Sequence, residues 1–339
     1  MRVAPVTFTL DTPAADYPPD IDLPVLGGRD RADLHEALWV YGYDQAGGIG
    51  YYAYLVHDGS NHTRRRETVS LFLSDGTRLV HTGEGGKSTA GCAAGDCLSL
   101  TCIEPFQRWR AEFAGTMAKL PANPAAAPRE IQPSVATELS LDVADPATPA
   151  WNVERGWGDA LPAFRYHQLH RARGVLSVAG RTHALDSICF RSHSLRTRDL
   201  PGFTGHAFAN ALFPSGRAFG LLRYGATVRL PERGRGFVFI DGAMHEAVVH
   251  AWPYLVSDRS EGEAVLIELD GPFGTEVVEG ETIGSVFSTV GADGRGWGVH
   301  GGEQGSHVLS SAFAKYTWRS ESGIGQLDRS AMRNRFATR

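Results

Sequence analysis

The sequence predicts an all-β protein made of two consecutive antiparallel barrels or sandwiches, with few short helices. Three observations carry this. Short runs of alternating apolar and polar residues recur along the whole chain. Turn signals separate them, drawing on 40 glycines in 339 residues. Long amphipathic helical patterns are scarce. Hydrophobic residues make up 42% and charged residues 21%, the balance of globular domains rather than disorder. The length suits two domains, each large enough to bury a core.

In chain order, Gly50–Val56 is rich in aromatic and branched residues, as half-buried strands are. Thr68–Leu73 and Arg78–Val80 flank Asp75-Gly76, a hairpin signal. Trp109, Ala111 and Phe113 alternate with polar neighbours, as do Leu139, Leu141 and Val143, so each run reads as a strand buried on one face. The second half repeats this grammar. Ala172–Val178 turns at Ala179-Gly180, Ala207–Phe213 at Pro214-Ser215-Gly216, and Phe237–Ile240 at Asp241-Gly242, while Ala264–Leu269 precedes Asp270-Gly271. Ala111–Leu120 and Ser310–Tyr316 are the weak helix candidates, and both read equally well as strand and loop. Pro121–Ser134, rich in Ala and Pro, and Asp145–Pro149 mark the join, with Thr137–Val143 closing the first domain. The expected domains are 1–150 and 151–339.

Several function classes are excluded. A net charge of −5 offers no basic field for nucleic acid. The N-terminus lacks the apolar core of a signal peptide, and no run approaches a membrane span. Four clustered cysteines are too few for a disulfide framework, so a cytoplasmic, reducing location is expected. Asn61-His62-Thr63 then reads as a chance sequon.

Motif-like fragments fail on their context. Gly296-Trp297-Gly298-Val299-His300-Gly301 fits a dinucleotide fingerprint, but the residues after it make a poor first helical turn, so a glycine-rich loop is expected. Gly86-Lys87-Ser88 lacks the first glycine of a P-loop, where His81 stands. His245 and His250, five apart, face opposite ways on a strand, and His167 and His170 suit only a helix. Cys92, Cys97 and Cys102 repeat every five residues, which matches no zinc pattern. Neither a metal nor a cofactor is expected, and without a Gly-x-Ser-x-Gly elbow that type of hydrolase is disfavoured.

Tyr166–Leu200 carries an aromatic-x-Gln entry at Tyr166 and Gln168, then Gly174, Val178 with Gly180, and the block Arg191-Ser192-His193-Ser194-Leu195-Arg196-Thr197-Arg198. This resembles the second-domain opening of the AttH-like, carotenoid-hydratase-like (hydroxyneurosporene synthase) group of the calycin superfamily. Glu36 to Tyr43, the Asp75-Gly76 hairpin, and Glu104-Pro105 before Trp109 look like the same family. The resemblance implies two lipocalin-like barrels and cofactor-free hydratases, cyclases and related lyases or isomerases acting on apolar substrates. Arg191, His193, Ser194 and Arg198 match the family block, whereas Ser192, Leu195 and Arg196 replace its Asp, Trp and Gly. Tyr224 stands where the family's later Tyr would, with Ala226 in place of its acidic neighbour.

On a strand, Arg191 and His193 share one face, joining a fixed cation to a ring that titrates near neutral pH. His193 is the candidate proton shuttle, with Arg191 and Tyr224 assisting. The alternative is a polar network of Arg191, His193 and Arg198 bracing two barrels. Trp39, Tyr41 and Tyr43 project from one face and either fill a core or line a pocket for a ring-bearing ligand. Glu104 and His206 are further candidates for substrate contact. The expected function is a hydratase, dehydratase, isomerase or cyclase for a terpenoid, steroid or aromatic molecule, or else a carrier that binds such a molecule unchanged. Exposed sheet edges leave room for a homodimer.

Overall fold

The computed structural model describes residues 17–25, 34–58, 65–120, 134–153, 164–197, 204–228, 231–290, 297–298, 307–332 and 334. Among these the one named helical element is a single 3-10 turn, Pro19–Asp22, and no helix is long and apolar enough to cross a membrane. The chain divides into two units, with the division near residue 198.

In the first unit β1 (Leu34–Asp44), β2 (Ile49–Asp58), β3 (Arg65–Phe72) and β4 (Arg78–Gly85) form a meander. After β5 (Cys92–Ala94) and β6 (Leu98–Glu104) come β7 (Arg108–Leu120), β8 (Val135–Pro146) and β9 (Trp151–Asn152). The long hairpin of β10 (Phe164–Val178) and β11 (Arg181–Thr197) follows. Because β11 pairs with β1 and β4 pairs with β7, eight strands close into a ring in the order β1-β2-β3-β4-β7-β8-β10-β11. Leu38, Val40, Tyr51, Leu55, Trp109 and Leu141 belong to the apolar cluster inside it.

The second unit runs through β12 (Gly205–Leu212), β13 (Ala218–Tyr224), β14 (Arg233–Ile240), β15 (Ala243–Ala251), β16 (Ala264–Gly271), β17 (Gly274–Val290), β18 (Trp297–Gly298), β19 (His307–Trp318) and β20 (Glu321–Met332). Pairing of β12 with β20 and of β16 with β17 closes a second eight-stranded ring, from which β18 stands off. Phe213, Phe219, Tyr316 and Trp318 are the large residues of its core. The all-β expectation therefore holds, and Ala111–Leu120 and Ser310–Tyr316 are strand.

The expected boundary at 150/151 is corrected. β10 bonds to β8 and β11 bonds to β1, so Tyr166–Thr197 completes the first barrel instead of opening the second. β8, expected to close the first domain, lies between β7 and β10. Two turns follow their sequence signals closely. Ala179-Gly180 and Asp241-Gly242 are two-residue loops with positive φ at both positions, the mirror-image turn whose twist suits a hairpin. The expected turn at Asp270-Gly271 sits two residues later, because those residues still pair with β17 and Pro272-Phe273 forms the loop. Asn61-His62-Thr63 and most of Pro121–Ser134 and Gly296–Gly301 lie outside the described residues.

Candidate functional site

Alternation along β11 turns Leu185 and Cys189 into the first core, and Arg191 and His193 follow on the same face. On β10 the same rule brings Tyr166, Gln168 and His170 inward with Ala172, and on β1 it brings Glu36 inward with Leu38 and Val40. The polar residues of these three neighbouring strands thus gather towards one end of the ring, beyond the apolar cluster.

Two buried carboxylates organise that end. Asp22, in the 3-10 turn, is fully buried and accepts from Arg191 Nη1 at 2.7 Å, Trp109 Nε1 at 2.9 Å and the Phe106 amide at 2.5 Å. The Tyr166 hydroxyl also donates to it. The Arg191 guanidinium lies 4.8 Å from the centre of the Trp109 ring and 5.0 Å from that of Tyr166, a cation over aromatic faces. Glu36, equally buried, accepts from His193 Nε2 at 2.9 Å and from the Val25 amide at 2.6 Å, and pairs with Arg65 at 2.6 Å. Burial alone would push the Glu36 carboxyl up; the His193 hydrogen bond, the charges of Arg65 and His193 and the Val25 amide outweigh it and hold it at about 2.

Glu36 is a carboxylate that can only accept, so it fixes the ring of His193. With Nε2 as the donor to Glu36, the uncharged form of the ring would have its lone pair on Nδ1, which is buried and has no hydrogen-bond partner. Phe164 stands edge-on to the ring at 4.9 Å. Arg191 Nε and Nη2 are likewise buried without partners, as is Gln168 Oε1. Unsatisfied donors on Arg191 beside an unsatisfied acceptor on His193 suit a ligand carrying oxygen and a transferable proton.

The sequence profile of the family described as Domain of unknown function (DUF7064) matches residues 27–328. The chain belongs to the DUF7064 family. No curated protein matches this DUF7064 sequence. Among solved structures it is similar to a protein assigned as an AttH (NE1406) from Nitrosomonas europaea, at 12% identity and a TM-score of 0.62 over 96% of this chain and 98% of that one. It is also similar to CghA, at 11% identity and a TM-score of 0.56 over 95% and 96% of the two chains. Kievitone hydratase from Nectria haematococca follows at 10% identity and a TM-score of 0.53 over 88% and 89%. These likenesses establish the all-β fold.

Within the first unit of this DUF7064 protein, Arg191 and His193 come together as expected. Trp39, Tyr41 and Tyr43 alternate with Glu36, Leu38 and Val40 and so lie on the other face of β1, where Trp39 and Tyr41 meet Tyr52 edge-on. Glu104 is exposed at the end of β6, opposite Arg108. In the second unit His206 and Tyr224 are direct partners across β12 and β13, and His206 bonds to Asp328 at 2.6 Å and to Ser330 at 2.7 Å. Arg198 lies outside the described residues. Sequence reasoning missed Asp22, Arg65 and the role of Glu36. A period-two reading from Glu36 through Leu38 and Val40 could have found Glu36, whereas nothing around Pro19–Asp22 signals a buried anion.

Proposed function

We propose that this DUF7064 protein is a cofactor-independent enzyme of the lyase or isomerase kind, a hydratase, dehydratase or cyclase, acting on an apolar terpenoid, steroid or aromatic molecule. One observation carries the reading: His193, fixed by Glu36, holds an unpartnered Nδ1 on the same buried strand face as the unpartnered Nε and Nη2 of Arg191. Likeness in fold to a kievitone hydratase supports the reaction class. In this reading His193 Nδ1 takes a proton from the carbon next to a carbonyl and returns it to a neighbouring carbon or to a departing hydroxyl. The Glu36 carboxylate steadies the imidazolium formed in between. Arg191 holds the oxygen on which negative charge grows, and Asp22 with Tyr166 fixes Arg191 in place. These steps draw on the first unit alone. Tyr224, expected from the sequence to assist, stands beside His206 in the second.

The test is hydrogen exchange. The protein is incubated in heavy water with a panel of apolar enones and β-hydroxyketones, and deuterium uptake is read by mass spectrometry. Wild-type protein is expected to label one of them. His193→Gln should lower the rate by about 10²–10⁴-fold, the usual contribution of a positioned acid–base group. Uptake that survives in His193→Gln removes this role for His193. A compound that binds tightly and never exchanges makes the protein a carrier instead.

A further inference from the structure

We propose that Glu67, His81 and Cys97 form a binding site for a divalent cation of the zinc class, with the fourth position left to solvent. Spacing along the sequence pointed away from metal, because the three ligands come from three separate places: Glu67 from β3, His81 from β4 and Cys97 from the tight turn between β5 and β6. Their ligand atoms all lie within 4.8 Å of one another, close enough to share one ion.

The histidine's surroundings point to a cation. His81 Nδ1 is 3.0 Å from the Thr116 carbonyl oxygen, which can only accept, so Nδ1 carries the proton. That leaves the Nε2 lone pair aimed at Glu67 Oε1, 2.9 Å away. Two lone pairs facing each other repel unless a positive centre sits between or beside them. A second proton on the ring would serve, and so would a metal ion. The carbonyl behind the ring is the outer partner that metal-bound histidines usually have. Glu67 is held in turn by the Leu98 amide at 2.9 Å and the Cys97 amide at 3.0 Å.

Glycines clear the space around all three ligands. A Cβ on Gly83 would meet Glu67 Oε1 at 2.7 Å and His81 Nε2 at 2.9 Å. One on Gly95 would meet Glu67 Oε2 at 2.1 Å, and one on Gly115 would crowd Cys97 Sγ at 3.1 Å. Glu67 is buried, while His81 and Cys97 are half-buried, so an ion can reach the site and keep a water. A donor set of one thiolate, one imidazole and one carboxylate suits Zn(II) and Co(II) better than the all-oxygen preference of Mg(II) or Ca(II). Binding releases the thiol proton of Cys97.

Titrating the metal-stripped, full-length protein with Co(II) tests this. One equivalent is expected to produce the near-ultraviolet thiolate-to-cobalt band and the intense visible absorption of a four-coordinate ion. Cys97→Ser should abolish the band, and His81→Gln should weaken affinity at least about tenfold, the loss that even an outer-shell change brings. Should either variant fail to fold, alkylation of the wild-type thiols, mapped by mass spectrometry, decides. Zn(II) should protect Cys97 but leave Cys92 reactive. No charge-transfer band, a band that persists in Cys97→Ser, or equal alkylation of Cys97 with and without Zn(II) overturns the site and leaves the proton in its place.

Discussion

Asp22 and Arg191 sit in surroundings where a charge without its partner is costly. Replacing Asp22 by Asn keeps the shape but leaves the Arg191 guanidinium buried and unpaired. A loss of about 3–5 kcal/mol in guanidinium-chloride unfolding is expected. The exposed pair of Arg108 and Asp142, with side chains 47% and 42% accessible, provides the contrast. There Asp142→Asn should leave the unfolding midpoint nearly unchanged, because solvent screens an exposed pair. Stability also depends on pH at two buried groups. His170 is pushed well below its usual 6.5 by burial and by the charge of Arg191. The unfolded chain therefore binds a proton there below pH 6.5 while the folded chain does not, and stability falls as the medium is acidified. Glu36 acts lower down. Its contribution is complete above its ordinary 4.5 and disappears as pH falls towards about 2, an effect of about 3 kcal/mol for the whole shift. Melting temperatures of wild-type protein should thus decline in two stages, and His170→Gln should flatten the first stage only. At this scale the sequence was partly readable. Two-residue spacing was enough to put Arg191 and His193 on one face, but their carboxylate partners lie more than 150 positions away in the chain, beyond the reach of any local pattern.

The first strand shows why face assignment succeeded and function assignment split. Its even positions, Glu36, Leu38 and Val40, turn into the barrel, while Trp39, Tyr41 and Tyr43 form the aromatic stripe on the reverse side. An aromatic stripe is conspicuous in a sequence, whereas a single glutamate at the head of an apolar row carries no local mark of burial. Turn chemistry was legible where φ demands it, as at Asp241-Gly242, and less so at Pro272-Phe273, whose residues carry no such requirement. Some strand contacts depend on a missing side chain. A Cβ at Gly174 would sit 1.9 Å from the carbonyl oxygen of Ser140, backbone that belongs to the neighbouring β8. Gly174→Ala should therefore prise β10 from β8 and cost about 1–3 kcal/mol or more in chemical denaturation. Gly180→Ala meets no neighbour and should cost less, limited to the strain of its positive φ.

Over the whole molecule, the architecture could be read from strand density, but the division between the units could not. An Ala- and Pro-rich stretch looked like a linker, and nothing local reveals that β10 and β11 belong with the strands before it. Register decides the matter: Leu38 pairs with His193 and Leu141 with Gly174. A fragment of residues 1–150 should accordingly lack a cooperative melt by circular dichroism, because β1 and β8 are both left as open edges. Residues 1–198 should recover the transition. A cooperative melt in the shorter piece would restore the earlier boundary.

That pairing of β1 with β11 also constrains how the chain is born. Leu38 leaves the ribosome 155 residues before His193, the position it must face. At roughly 5–20 residues per second, the nascent polypeptide carries an unmatched sheet margin for on the order of ten seconds. Until β11 arrives, that margin is open to mispairing with other chains.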